Sequence, residues 1–390
     1  MATPDTDHER FEELRVAAVQ RLGLVDTPPE ERFDRITRIA KELFDVPIAE
    51  INFIDDQHQF TKSPKPASIN RIDSFCEVTV QRPDLVVVPD ATKDDRFSWR
   101  SPVSDERHIR FYAGRPLSLG DEFRVGTLCL VDTAPRDFSH EQEQLLDEMG
   151  AWVERELKDT LDLDRAAEVQ QLLLPEGQPS WPSYDVAGLS LPKKTVGGDF
   201  YSWHGTGEQI ELTLADVMGK GTAGAIVAAA VRSAFQSRSG LHVAAAVDAA
   251  NAQLAGDLDR IGSFATLFHG VIDVATGRLD YADAGHGLTL VVHPDGSSER
   301  LAATGLPLGI VADARWGVGS VELAPGDRLV TFTDGVLDLY DGTIDCLPEV
   351  AALVAEASDA DDVLRRLQQL ITTRQPDDDV TMVVVTRAAP

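Results

Sequence analysis

The chain has 390 residues, 43% of them hydrophobic and 26% charged, which is long enough for two domains with separate cores. Its formal net charge of -29 argues against a surface built to neutralise nucleic-acid phosphates or to dock on an anionic membrane. Three widely spaced cysteines, Cys76, Cys129 and Cys346, make no CxxC pair and no zinc spacing, so free thiols in a reducing cytoplasm are expected.

The opening "MATPDTDHERFEELR" is acidic and polar, unlike a secretory signal, and residues 1–19 read as a polar tail. The longest apolar run, "AIVAAAV" at 225–231, is too short to span a bilayer, so a cytoplasmic protein is expected. "PPEERFDRITRIAKELF" places Phe33, Ile36, Ile39, Ala40 and Leu43 at helical spacing, with Pro28 and Pro29 suiting the start. Short β-rich runs follow: "AEINFID", "DLVVVPDA", "RFYAGRPLSL" and "FRVGTLCLVD". "FSHEQEQLLDEMGAWVEREL" then predicts a second helix, with Ser139 as N-cap and Gln142 completing a capping box. The pattern over 20–158 is that of an α+β sandwich.

Leu146, Val153 and Leu157, with Ala167 and Leu174 further on, carry that helix into a connector over 159–180. It packs on its own domains or pairs two chains in a homodimer; Asp and Glu interrupt the heptad. "PEGQPSWPSY", 175–184, marks a boundary. Over 181–390, strand-like runs ("YDVAGLSL", "QIELTLADV", "ATLFHGVIDV", "RLDYADAG", "TLVVHPDG", "DRLVTFTDG", "VTMVVVT") alternate with four helical runs. This predicts two sheets covered by helices.

Four acidic sites lie at strand boundaries in this second region: Asp199 in "TVGGDFYSW", Asp216, Asp334, and the run Asp377 to Asp379. Each alone reads as turn chemistry. Asp216 continues the apolar face of Ile210, Leu212 and Leu214, and Asp334 that of Val330 and Phe332, so both are expected to point inward. An inward carboxylate needs a cation, a proton or hydrogen bonds. Without a rival His, Cys or Ser constellation, the group suggests one hard-cation site suited to Mg2+ or Mn2+, where two ions activate a water and clamp a phosphoryl group.

In order, "VGGDFY", "ADVMGKGTAGAIVAA", "DAGHG", "GLPLGI", "FTDGV" and "DDDVTMVVV" resemble the PPM (protein phosphatase 2C-like) domain of the SpoIIE/RsbU type. The resemblance implies a four-layer αββα sandwich and a serine/threonine phosphatase with two Mn2+ or Mg2+ ions. By position it implies Asp216 as bridging carboxylate with the Val217 carbonyl beside it, Asp334 and Asp378 on one metal with Asp379 next to them, and Asp199 holding a metal or its water. Lys194 stands where eukaryotic relatives carry a phosphate-binding arginine. The implied substrate is a phosphoserine or phosphothreonine on a STAS-type anti-anti-sigma partner. Ser202 replaces an aspartate usual in the family, which puts a peripheral metal site in doubt, and "DAGHG" replaces "NAGHP". His286 is expected to be structural.

"LVDTPPEERFDRITRIAKELFDVPIAEINFIDD", "SFCEVTV", "LVVVPDATKDDRF", "IRFYAGRPL" and "VGTLCLVDT" resemble a GAF sensor domain, an α/β sandwich that in some members binds a small molecule. Cys76 is expected to be a packed core thiol rather than a redox group or tether. The combined expectation is a phosphatase regulated by its GAF domain. The alternative is a pseudophosphatase scaffold that binds a phosphoprotein without turnover. A diguanylate cyclase, suggested by "GGDF" alone, lacks the following Glu.

Overall fold

The computed structural model describes residues 4–120, 123–175, 181, 183–205 and 207–388. The chain divides into two compact units, Met1–Asp162 and Leu163–Pro390.

In the first unit, helices α1 (Pro4–Arg21) and α2 (Glu31–Leu43) precede strands β1 (Ile48–Ile54), β2 (His58–Ser63) and β3 (Ala67–Asn70). Helix α3 (Phe75–Val80), strand β4 (Val86–Val88), the short helix α4 (Ser101–Ser104), and strands β5 (Phe111–Leu119) and β6 (Phe123–Asp132) follow. One six-stranded sheet results, in the order β3-β2-β1-β6-β5-β4. The expected polar tail is instead mostly α1. Its Ala18 and Val19 join Phe33, Ile36 and Ala40 of α2 in the core, whereas Ile39 and Leu43 are exposed. Buried Arg15 donates to the Ile54 carbonyl at 2.7 Å and pairs with Glu12 at 2.8 Å, which ties α1 to the end of β1. The sequence showed only charge there, because the carbonyl that anchors this guanidinium to β1 lies 39 residues away.

Helix α5 (His140–Leu173) is continuous, and the boundary between the units falls within it. The capping box forms: Ser139 Oγ accepts from Gln142 N at 3.2 Å, and Gln142 Oε1 accepts from Ser139 N at 2.9 Å. Most of the predicted boundary "PEGQPSWPSY" lies outside the described residues.

The second unit contains β7 (Tyr184–Leu191), β8 (Asp199–Gly205), β9 (Gln209–Val217), α6 (Thr222–Gln236), α7 (Val243–Ile261), β10 (Ala265–Asp273) and β11 (Arg278–Ala284). It continues with β12 (Thr289–Val292), β13 (Ser298–Arg300), β14 (Gly319–Glu322), β15 (Arg328–Phe332), α8 (Leu347–Ala355), α9 (Ala360–Arg374) and β16 (Val380–Arg387). Two five-stranded antiparallel sheets form, β14-β11-β10-β9-β8 and β13-β12-β15-β16-β7. Three apolar layers hold them. Leu212, Leu214, Phe268, Val383 and Val385 fill the space between the sheets. Ala215, Val217 and Phe200 pack under α6 and α7, while Val330, Phe332 and Val384 pack under α8 and α9. Helix, sheet, sheet, helix is the four-layer arrangement expected. Each fully buried Leu or Phe in these layers contributes about 1.5–3 kcal/mol. Among the described residues no helix is long and apolar enough to cross a membrane.

Candidate active site

Strand register places the first two acidic residues. Asp199 opens β8 and lies directly opposite Asp216 on β9. Strand alternation puts both on the side of Tyr201 and Leu214, between the sheets. Asp199 is 4% exposed, and its Oδ2 accepts from Thr333 Oγ1 at 2.8 Å. Burial, and then the charge of Asp216, push its pKa well above the ordinary carboxylate value. Burial also dominates at Asp216, with the charges of Asp334, Asp378 and Asp379 added, and its pKa is pushed up to about 7.

The other two segments come from the second sheet. β15 ends at Phe332, and a 3-10 turn over Asp334–Leu339 carries Asp334. This corrects the expectation that Asp334 projects on the apolar face of the strand. Val330 and Phe332 face α8 and α9, and the residue two positions on has left the pleat and is exposed. Although the residue as a whole is exposed, partial burial of its carboxyl, and then the charge of Asp378, raise the Asp334 pKa. Asp378 lies just before β16 and pairs with Lys220 Nζ at 2.8 Å.

Asp379 departs from the expected ligand role. Its Oδ1 accepts from Lys193 N and its Oδ2 from Gly198 N, both at 2.8 Å. The carboxylate positions the loop ahead of β8. The same contact explains the paired glycines. A Cβ on Gly197 would stand 2.5 Å from Asp379 Oδ2, and one on Gly198 would stand 2.7 Å from the Val217 carbonyl oxygen. Close approach, rather than an unusual backbone angle, requires glycine at both positions.

Three contributors were not anticipated. Thr333 bridges Asp199 and the Thr381 N–H, which it accepts at 2.9 Å. Gln170 on α5 grips Gly197 twice, donating to its carbonyl at 2.8 Å and accepting its N–H at 3.0 Å. Lys220, flanked by glycines in "MGKG", supplies the cation beside Asp378; its closeness to Asp216 in sequence was the available signal. Lys194 is exposed, with its stem beside Gly221.

Two departures from the family pattern are also placed. Ser202 is buried on the face of β8 opposite Asp199, so it does not border the acidic group, contrary to expectation. Asp283 accepts the N–H groups of His286 and Gly287, so it closes the "DAGHG" turn. His286 is buried between Thr266 and Thr331, and burial lowers its pKa to about 4; it is structural.

Among the described residues, no three His, Cys, Asp or Glu side chains converge as a ready-made metal cage. The donor set nevertheless fits a hard cation. Burial, and then the negative charge of neighbouring carboxylates, raises the pKa of Asp199, Asp216 and Asp334, and an ammonium group already stands against Asp378. A four-layer sandwich carrying this acidic group defines a domain of the PPM phosphatase class.

The comparisons agree. A family model, Stage II sporulation protein E (SpoIIE), matches residues 206–388, and a GAF domain model matches 28–157. The chain is 28% identical over 245 residues to phosphoserine phosphatase RsbU of Bacillus subtilis, covering 60% of this chain and 72% of that protein. It is 26% identical over 274 residues to protein IcfG of Synechocystis, covering 60% of this chain and 43% of that one. A crystal structure of the RsbU and RsbW domains of a Mycobacterium tuberculosis protein aligns with TM-score 0.49 and 27% identity, covering 54% of this chain and 63% of that one. The two family models give the chain a GAF domain followed by a SpoIIE-type PPM phosphatase domain.

Proposed function

We propose that the chain is a Mn2+- or Mg2+-dependent phosphoprotein phosphatase acting on a phosphoserine or phosphothreonine of a STAS-type partner, with the GAF domain regulating turnover. The observation that carries this reading is the acidic group of Asp216, Asp334 and Asp378, with Asp199 behind it, in a SpoIIE-type domain. RsbU, by its name a phosphoserine phosphatase, supports the substrate class.

Asp216, Asp334 and Asp378 are the residues that would hold divalent ions, with the Val217 carbonyl beside them. Bound ions supply Lewis-acid activation of water and neutralise charge on the phosphoryl group. The chain's own residues do the positioning. Thr333 holds the Asp199 carboxyl, and Asp379 and Gln170 fix the Gly197–Gly198 loop that delivers Asp199. Lys220 neutralises Asp378. Lys194 and Lys220 offer positive charge for an incoming phosphate.

The test is hydrolysis of p-nitrophenyl phosphate and of a phosphorylated STAS protein, with and without Mn2+, by the wild type and Asp334→Asn. Manganese-dependent turnover that the variant loses is expected. A folded wild type that turns over neither substrate with any divalent ion is a binding scaffold instead. Regulation is tested by comparing turnover of the full chain with and without residues 1–158.

A further inference from the structure

The GAF domain contains a cavity of about 320 Å³, lined in part by Glu50, Phe75, Cys76, Arg107, Tyr112 and Cys129. Two of its wall residues are thiols from different elements, Cys76 on α3 and Cys129 on β6, with their sulfurs 3.9 Å apart. Both residues are buried, at 2% and 1% exposure. A buried thiol in apolar surroundings is inert. These surroundings are not apolar. The Asn52 side-chain amide lies 3.2 Å from the Cys129 sulfur and 3.6 Å from that of Cys76. Thr61 fixes the orientation of that amide, donating to Asn52 Oδ1 at 2.6 Å, so the NH2 group faces the sulfurs. The Tyr112 hydroxyl, held by Thr79 at 2.7 Å, lies 3.6 Å from the Cys76 sulfur.

We propose that Cys76 and Cys129 are a reversible disulfide couple in the wall of the GAF cavity, oxidised by hydrogen peroxide that enters it.

The two thiols are unequal in the way such a couple needs. Burial opposes the Cys76 thiolate, but hydrogen bonding, first from Cys129 and also from Tyr112, outweighs it and lowers its pKa below the ordinary thiol value. The hydrogen bond to Cys76, together with burial, keeps Cys129 protonated. In the first step the Cys76 sulfur attacks one peroxide oxygen, the O–O bond breaks, and hydroxide leaves; Cys76 becomes a sulfenic acid. In the second the Cys129 sulfur attacks the Cys76 sulfur, the S–O bond breaks, and the departing hydroxide takes the Cys129 proton as water. The pair loses two electrons, and peroxide becomes two waters. The sulfurs must close by about 2 Å, since a disulfide bond is about 2.0 Å long. Cys346 lies in the other unit and serves as an internal control.

The experiment treats the intact full-length chain with a few equivalents of hydrogen peroxide, then measures thiols and mass after denaturation without reductant. Titratable thiols are expected to fall from three to one. The mass should fall by about 2 Da, a Cys76–Cys129 cross-linked peptide should appear, and dithiothreitol should reverse all three changes. Cys129→Ser is expected to stop at a sulfenic acid on Cys76 that dimedone traps, and Cys346→Ser to behave as wild type. The proposal is overturned if the folded chain keeps all three thiols while the unfolded chain reacts. It is equally overturned if Cys76 gains about 32 Da as sulfinic acid with Cys129 still free, or if the cross-link includes Cys346.

Discussion

Thr333→Val removes one hydroxyl and almost no volume, and the structure says what that hydroxyl holds. Thr333 Oγ1 donates to Asp199 Oδ2 at 2.8 Å and accepts the Thr381 N–H at 2.9 Å, and both threonines are fully buried. A valine strands the Thr381 N–H, which costs about 1–3 kcal/mol, and removes a hydrogen bond to a carboxylate, worth about 1.5–3 kcal/mol. The two losses share one atom and are not additive, so a total of about 2–4 kcal/mol is expected. For a domain of this size that is a fall in Tm of roughly 5–10 °C. Asp199 also loses its donor while its burial and the charge of Asp216 remain, so its charged form becomes less favourable still. Calorimetry of the full chain should show the phosphatase-domain transition lowered and the GAF transition unmoved. Half-saturation of turnover by Mn2+ should move to higher concentration, and Thr333→Ser should restore both. A Tm within about 1 °C of wild type would refute the claim that this hydroxyl supports the carboxyl group; a tenfold rate change is about 1.4 kcal/mol on the same scale.

Lys220 competes with a bound cation for Asp378. An exposed pair of this kind is worth about 0.2–1 kcal/mol, so Lys220→Ala should lower the half-saturating Mn2+ concentration by about 1.5- to 5-fold; an increase would show that the lysine helps hold the site together. Gln170→Ala releases Gly197 and should raise the half-saturating Mn2+ concentration several-fold with little change in Tm, because Gln170 is only partly buried; metal dependence equal to wild type in a titration would count against the clamp. His269 and His286 are buried neutral, and burial lowers both to about 4 from an ordinary value of 6.5. Between those values the unfolded chain binds the proton and the folded chain does not. Stability is therefore full above pH 6.5 and falls as the pH drops toward 4. His269→Asn should flatten that slope in a series of melts across pH 4 to 7, and an unchanged slope would exclude His269 from it.

Much of the second domain was legible because its strands alternate cleanly. Ile210, Leu212 and Leu214 gave the buried face of β9, and the pleat carried the reading to Asp216. The same rule misled two positions past the end of β15, because alternation stops where the strand stops and Asp334 lies in the turn beyond it. β8 was not recognised as a strand. The glycines ahead of it, Gly197 and Gly198, are punctuation by composition, yet they serve close approach to Asp379 and the Val217 carbonyl, contacts made with residues remote in sequence. Thr333, Gln170 and Lys220 stayed hidden for the same reason. Each is an ordinary polar residue until the fold supplies its partner. α1 was read as a tail because charge dominates its composition, while its anchor, Arg15, depends on the end of β1.

The acidic group is a product of register, and this explains how a few carboxylates can be held against their own repulsion. Asp199 faces Asp216 because β8 and β9 pair at that offset. Asp334 comes near Asp378 because Phe332 pairs with Met382, which brings the chain leaving β15 alongside the chain entering β16. A one-residue slip in either ladder would turn a whole apolar face outward, so the core between the sheets and the cores beneath the helices fix these offsets far more firmly than the acids oppose them. Asp379 and the paired glycines then lock the β8 entry to the β16 entry, joining one sheet to the other at the point where the charges meet. The repulsion therefore does not disperse the carboxylates. It adds instead to the larger effect of burial in raising the pKa at Asp199, Asp216 and Asp334, and a bound cation would relieve it.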